Sequence, residues 1–140
     1  MLELDVNQDV LTQEQRLDEA LFTRIATEVF SELGIDGTIA VRFVPEAEMQ
    51  RLNRMYRGKD SVTDVLSFSY MHDPGDLLGD VALSYEQAKR QANGEVSHEL
   101  IMLTVHGILH VLGYDHEEAK DARVMFPLQD RLVDTILLCV

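Results

Sequence analysis

Between about residue 96 and residue 112 the chain is apolar on nearly every side. Leu100, Ile101, Leu103, Val105, Ile108, Leu109, Val111 and Leu112 leave no polar face if this stretch is helical. Such a helix belongs in the middle of a molecule, with the rest of the chain wrapped around it. It is too short to cross a bilayer, which needs about 20 apolar residues, and no other apolar run is longer. A chain of 140 residues suffices for one domain with a real core. Gly113 is placed to stop the helix in the left-handed conformation.

That buried stretch carries His106 and His110, and His116 follows just beyond Gly113. Residues four apart on a helix lie about 40° apart around its axis, so both imidazoles face one side. A sharp turn at Gly113 can bring His116 back over the same point. Three imidazole nitrogens at about 2.1 Å leave the fourth position of a tetrahedral ion open, as hydrolytic chemistry requires. Taken singly, His106 or His110 reads as a core histidine with a satisfied hydrogen bond. Three of the chain's five histidines between positions 106 and 116 read as a metal cage instead. The ligand set suits one divalent transition metal, zinc foremost, with nickel, copper and cobalt also compatible. A closed structural zinc site commonly uses cysteine, and the one cysteine, Cys139, lies next to the last residue. Asp115 is better placed for an outer hydrogen bond than for the metal itself. His72 and His98 fall outside the pattern and read as ordinary surface or structural residues.

The same spacing occurs in metzincin proteases, H-E-x-x-H-x-x-G-x-x-H, with one difference. Gly107 stands where those enzymes keep their catalytic glutamate. The cage is retained and the peptidase's base is not, which points away from proteolysis.

The remaining pattern predicts a small mixed sheet with helices packed on it. Leu2, Leu4 and Val6 alternate with Glu3 and Asp5 as in a half-buried strand. Thr12 and Gln15 look like a capping box opening a helix that Gly34 ends. Residues 38–44 read as a strand, and Pro45 starts a helix through about Met55. Residues 65–70 and 79–84 read as strands separated by turn chemistry at 73–76. Residues 85–92 read as helical, broken at Asn93-Gly94. A last helix from about Glu117 towards Leu138 is interrupted by Pro127, so a kink or two abutting helices are expected there. The predicted order is β-α-β-α-β-β-α-α-α, without repeats or a linker. The expected architecture is therefore a single α+β domain over residues 1–140, a four-stranded mixed sheet with about five or six helices and the metal-binding helix buried centrally.

A formal charge of −13 argues against phosphate binding by the whole surface and leaves room for a local basic patch. The densest cluster is Arg51, Arg54, Arg57 and Lys59, and Lys89 with Arg90 forms a lesser one. The acidic residues fall mostly on helix faces and read as solubilising. With a single cysteine, no basic region preceding an apolar stretch and no spanning segment, the expected location is the cytoplasm, with no membrane association.

Three segments, in this order, resemble the YbeY endoribonucleases, bacterial proteins of rRNA maturation. They are Leu52-Asn53-Arg54-Met55-Tyr56-Arg57-Gly58-Lys59-Asp60 followed by Thr63-Asp64-Val65-Leu66-Ser67-Phe68, then Leu78-Gly79-Asp80, then the histidine segment through Gly113-Tyr114-Asp115-His116. The resemblance covers nearly the whole chain. It implies a fold similar to zinc-dependent hydrolases, a divalent metal on His106, His110 and His116, and a functionally essential Arg57. It also implies cleavage of single-stranded RNA, processing of the 3′ end of small-subunit rRNA and a part in ribosome quality control. Implied partners are rRNA, the small ribosomal subunit, one of its ribosomal proteins and the GTPase Era. Ser69 departs from the family, which commonly has proline there, and so does Pro127.

Independently of the family, a guanidinium can grip two phosphate oxygens and stabilise the charge growing on them. The competing reading of Arg57 is a surface arginine paired with Asp60 or Asp64. Asp64 reads as a brace for the Arg57 loop, and Asp80 as a turn-stabilising residue at the start of a strand. Tyr114 reads either as a substrate contact or as packing under the turn. No residue stands out as a general base. Two other functions fit the sequence: a metal-dependent hydrolase of peptides or small molecules, which Gly107 disfavours, and a non-catalytic, metal-containing ribosome assembly factor.

Overall fold

The structure is a computed structural model and describes residues 1–71 and 75–138. His72, the Asp73-Pro74 half of the expected turn and Cys139 lie outside the described residues. The elements follow in the order β1 (Leu2–Asn7), α1 (Glu19–Leu33), β2 (Gly37–Phe43), α2 (Glu46–Arg57), β3 (Val65–Ser69), β4 (Leu77–Leu83), α3 (Tyr85–Gln91), α4 (Val96–Val111) and α5 (Ala119–Leu137). The predicted order and the mixed four-stranded sheet are both observed, with five helices among the described residues.

The strands are ordered β1-β2-β4-β3. β1 and β2 run parallel, as do β2 and β4, whereas β3 joins β4 antiparallel, with Ser67 opposite Val81. Alternation along the strands gives the sheet two working faces. Val81 and Leu83 join the main core with Ile39, Val41 and the apolar side chains of α1, α4 and α5. Ala82 and Leu66 point the other way and pack with Met49 and Leu52 of α2.

Helix α4 lies where its composition demands, against β3 and β4 on one side and α5 on the other. Leu100, Ile101, Val105, Ile108, Leu109 and Val111 have no exposed surface at all. Burial of each such side chain contributes about 1.5–3 kcal/mol. Two hydroxyls from β3 set its height on the sheet: Ser67 donates to the Gly107 carbonyl at 2.9 Å, and Ser69 to the Val111 carbonyl at 2.7 Å. Ser69 thus satisfies a carbonyl at the helix end that has no partner within the helix.

The structure corrects three expectations. Helix α1 starts at Glu19, capped by Asp18, whose carboxylate accepts from the Ala20 N–H at 3.0 Å. The Thr12–Gln15 pair does form, Thr12 N–H to Gln15 Oε1 at 3.0 Å, but it closes an isolated turn. Local capping chemistry is the same in both settings, and only Asp18 directly precedes the helical run. Asp80 sits inside β4 rather than at its start, and accepts the Tyr70 hydroxyl at 2.6 Å. That bond, with burial, pushes the Tyr70 phenol up to about 12. Of the two outcomes expected at Pro127, a kink or two abutting helices, the second does not occur: α5 is one element that includes Pro127. Arg123, whose carbonyl loses its partner at Pro127, faces solvent, while Met125, Leu128 and Leu132 anchor both halves in the core.

Candidate metal centre

The end of α4 is built to aim three rings at one point. Gly113 has φ of 102°, and Leu112 closes the helix before it. The Gly113 N–H bonds the His110 carbonyl at 3.1 Å and the Tyr114 N–H bonds the Leu109 carbonyl at 3.0 Å. This is the paired-bond ending that a residue with positive φ permits. It reverses the chain so that His116 returns beside the helix it has just left. Tyr114 is partly buried against the main core, under the turn. Asp115 accepts the His116 backbone N–H at 2.7 Å, which fixes the loop and holds its own carboxyl below the usual range.

The rings of His106, His110 and His116 lie with centroids 4.6 to 5.2 Å apart. Each offers a nitrogen, and the three nitrogens lie within 4.8 Å of one another. His106 Nε2 and His110 Nε2 are 3.1 Å apart. Two nitrogens each ~2.1 Å from a tetrahedral ion must stand ~3.4 Å apart, so small ring adjustments would seat an ion. Burial, the largest effect, and the neighbouring imidazoles push His106 and His110 below the usual histidine range. Both are therefore neutral near pH 7, the state a metal ligand needs. The donor set and its spacing fit a divalent ion.

Gln129 on α5 is a participant the sequence did not disclose. It is buried, 6% exposed, and its Oε1 lies 2.7 Å from His106 Nδ1. With the amide oxygen as acceptor, Nδ1 carries the proton and the Nε2 lone pair is left facing the other two histidines. No motif marks this contact, because it joins positions 23 apart on different helices. A polar residue among the apolar positions of α5 was the one available signal.

Gly107 proves to be a packing residue. A Cβ there would lie 2.6 Å from Val81 Cγ1 and 3.2 Å from both Ser67 Oγ and Val65 Cγ2. A glutamate cannot occupy this position while α4 sits this close to the sheet.

The triad opens into a cleft of about 710 Å³, lined also by Asn53, Arg57, Lys59, the 61–67 segment, Glu117 and Phe126. Helix α2 runs two residues further than its pattern suggested, so Arg57 occupies its last turn, beside the cleft. Asp60 binds Gln50 and Arg54, while Asp64 accepts from Val65 N–H at 2.8 Å and from Gln91 Nε2 at 2.6 Å. No ion pair joins either of them to Arg57, and among the described residues neither the Arg57 nor the Lys59 side chain has a hydrogen-bond or ion-pair partner. The rest of the basic cluster is engaged: Arg51 binds Glu48, Arg54 binds Asp60, and Arg90 binds Glu46. His98 is exposed beside Glu95, away from the triad. Among the described residues no helix is long and apolar enough to cross a membrane.

Fold and site together define a small α+β domain with a three-histidine centre, able to hold a metal ion, in a cleft that Arg57 and Lys59 also line. Comparison with known proteins sharpens that class to a family. Residues 4–137 match the family Endoribonuclease YbeY. Proteins named Endoribonuclease YbeY are 42% identical over 126 residues in Persephonella marina, covering 82% of either chain. Another in Sulfurihydrogenibium is 37% identical, covering 94% of this chain and 90% of the relative. The solution structure of TM1509 from Thermotoga maritima superposes with a TM-score of 0.64 at 33% identity, covering 97% of this chain and 89% of that one. The chain belongs to the YbeY endoribonuclease family.

Proposed function

We propose that this protein is a metal-dependent endoribonuclease specific for single-stranded RNA, acting in 3′-end maturation of small-subunit rRNA and in ribosome quality control. On this reading residues 1–140 work as one hydrolase domain in the cytoplasm. Its partners are rRNA and the small ribosomal subunit, including a small-subunit ribosomal protein and the GTPase Era. The observation that carries the proposal is the cleft itself, where three imidazoles share one cavity with Arg57 and Lys59, whose side chains have no ion-pair partner among the described residues. Relatives named as endoribonucleases support the same substrate class.

His106, His110 and His116 are the proposed metal ligands, and zinc is the ion their chemistry suits best. A divalent ion bound there supplies Lewis-acid stabilisation of the phosphodiester. Arg57 is the proposed catalytic residue on the protein's side. Its guanidinium grips the phosphate and balances the charge that grows on the oxygens as the bond breaks. Lys59 adds a second positive charge along the backbone path. Gln129 holds His106 in the tautomer that leaves Nε2 free.

Metal analysis coupled to a single-stranded RNA cleavage assay tests this. The wild-type protein is expected to carry about one ion per chain and to lose activity with chelator. His110→Ala is expected to lose both ion and cleavage. Arg57→Ala is expected to keep the ion and lose roughly 10²–10³ in rate. Full metal content and full cleavage in His110→Ala protein would refute the ligand assignment. Nuclease activity that separates from this protein on purification would leave the non-catalytic assembly factor as the reading that stands.

A further inference from the structure

The cleft's lining is mixed in kind. Arg57, Lys59, Asp64 and Glu117 give it charges of both signs, and α5 contributes Phe126, the one aromatic carbocycle lining the cleft among the described residues. Its neighbours Met125, Leu128 and Gln129 turn inward and are buried. Phe126 instead keeps 40% of its surface exposed. At that exposure the ring forgoes roughly two-fifths of the stabilisation that full burial would give. Its ring stacks on the His116 imidazole, with centroids 5.3 Å apart and planes 30° apart. A flat apolar surface thus lies directly beside the histidine triad, one imidazole from its centre.

We infer that Phe126 is a base-stacking platform, a subsite for the unpaired nucleobase of a nucleotide flanking the phosphate held at the triad. This rests on the nuclease reading of the cleft. A phosphate drawn to the triad and Arg57 leaves its base one sugar away, a reach comparable to the single imidazole between Phe126 and the centre. Stacking needs only the π-face that all four bases share, so it selects unpaired over paired RNA without reading sequence. A duplexed base has no free face to offer. Tyr56 is also exposed, at 60%, but its ring packs edge-on to Phe68 and it does not line the cleft.

The test uses the metal-loaded full chain and short single-stranded RNA oligonucleotides in which an abasic site is walked along the sequence. Binding is read by fluorescence anisotropy, and cleavage is followed in parallel. For the wild type, an abasic site at one position beside the cut is expected to weaken binding roughly tenfold. For Phe126→Leu the same abasic site is expected to cost less than about twofold, and Phe126→Tyr is expected to restore the discrimination. Metal affinity, titrated against a chelator, is expected to be equal in all three proteins. Identical abasic profiles in wild type and Phe126→Leu would overturn the platform, even if RNA is cleaved. A loss of metal affinity in Phe126→Leu would also overturn it, making Phe126 a brace for His116. RNA bound with the expected profile but not cut would retain the platform and refute the nuclease reading. Absence of RNA binding would refute both.

Discussion

Gln129 decides which nitrogen of His106 is available, so its removal acts on the metal before it acts on the fold. Replacing it with leucine keeps the volume roughly constant but strands a buried Nδ1–H. Metal affinity is expected to fall about 10–100-fold, with the folded structure retained, as measured by competition with a chromophoric chelator. The imidazoles make a second claim at this scale, about the metal-free protein. His106 and His110 titrate below their unfolded value because burial disfavours the charged ring. Their neutral forms are preferred in the native state, so the unfolded chain takes up protons first as pH falls. Stability from these two rings is therefore fully present above the ordinary histidine value of about 6.5 and is lost as pH falls below it. Chemical unfolding of the chelated protein at pH 7.5 and pH 5.5 checks the direction. An equal or higher midpoint at pH 5.5, once carboxylate effects are matched in a His106→Asn/His110→Asn control, would contradict it.

Among the elements, α5 carries the clearest internal conflict. Pro127 lies within a helix that must hold Gln129 against His106 and Phe126 against His116. Proline there removes one backbone bond and crowds the preceding turn, a cost of up to about 3 kcal/mol in a helix interior. Pro127→Ala is expected to raise stability by about 1–3 kcal/mol, seen as a higher urea midpoint at unchanged slope. Helix α4 shows the opposite situation, with every local choice in agreement. Its apolar sides and the Gly113 ending placed it centrally from the chain alone, and the structure adds the close approach of Gly107 to β3 and β4. The boundaries of α1 could not, because Thr12 and Asp18 offer similar capping chemistry and only the packed helix discriminates between them. Nor could the unbroken α5, since a proline's effect depends on whether the flanking residues are anchored elsewhere.

The whole molecule carries a formal charge of −13 and would repel a polyanion at long range. Attraction is expected from the cleft, where among the described residues the Arg57 and Lys59 side chains are unpaired while Arg51, Arg54 and Arg90 are held by carboxylates. Two cations on a single strand correspond to a slope of about −1.4 in log affinity against log salt. Anisotropy titrations over a range of salt concentrations measure it, and a slope several times steeper would mean that a broader basic surface is in use. The sequence by itself determined the central helix, the sheet's strand order along the chain, and the spacing of His106, His110 and His116. These follow from periodicity and from bonds between near neighbours, which a linear pattern records. Only the tertiary structure decided that Gln129 reaches His106, that Ser67 and Ser69 pin α4 to β3, and that Asp60 and Asp64 leave Arg57 free. Those outcomes depend on which groups the packed elements bring within about 3 Å, and a pattern along the chain carries no record of distances between helices and strands far apart in sequence.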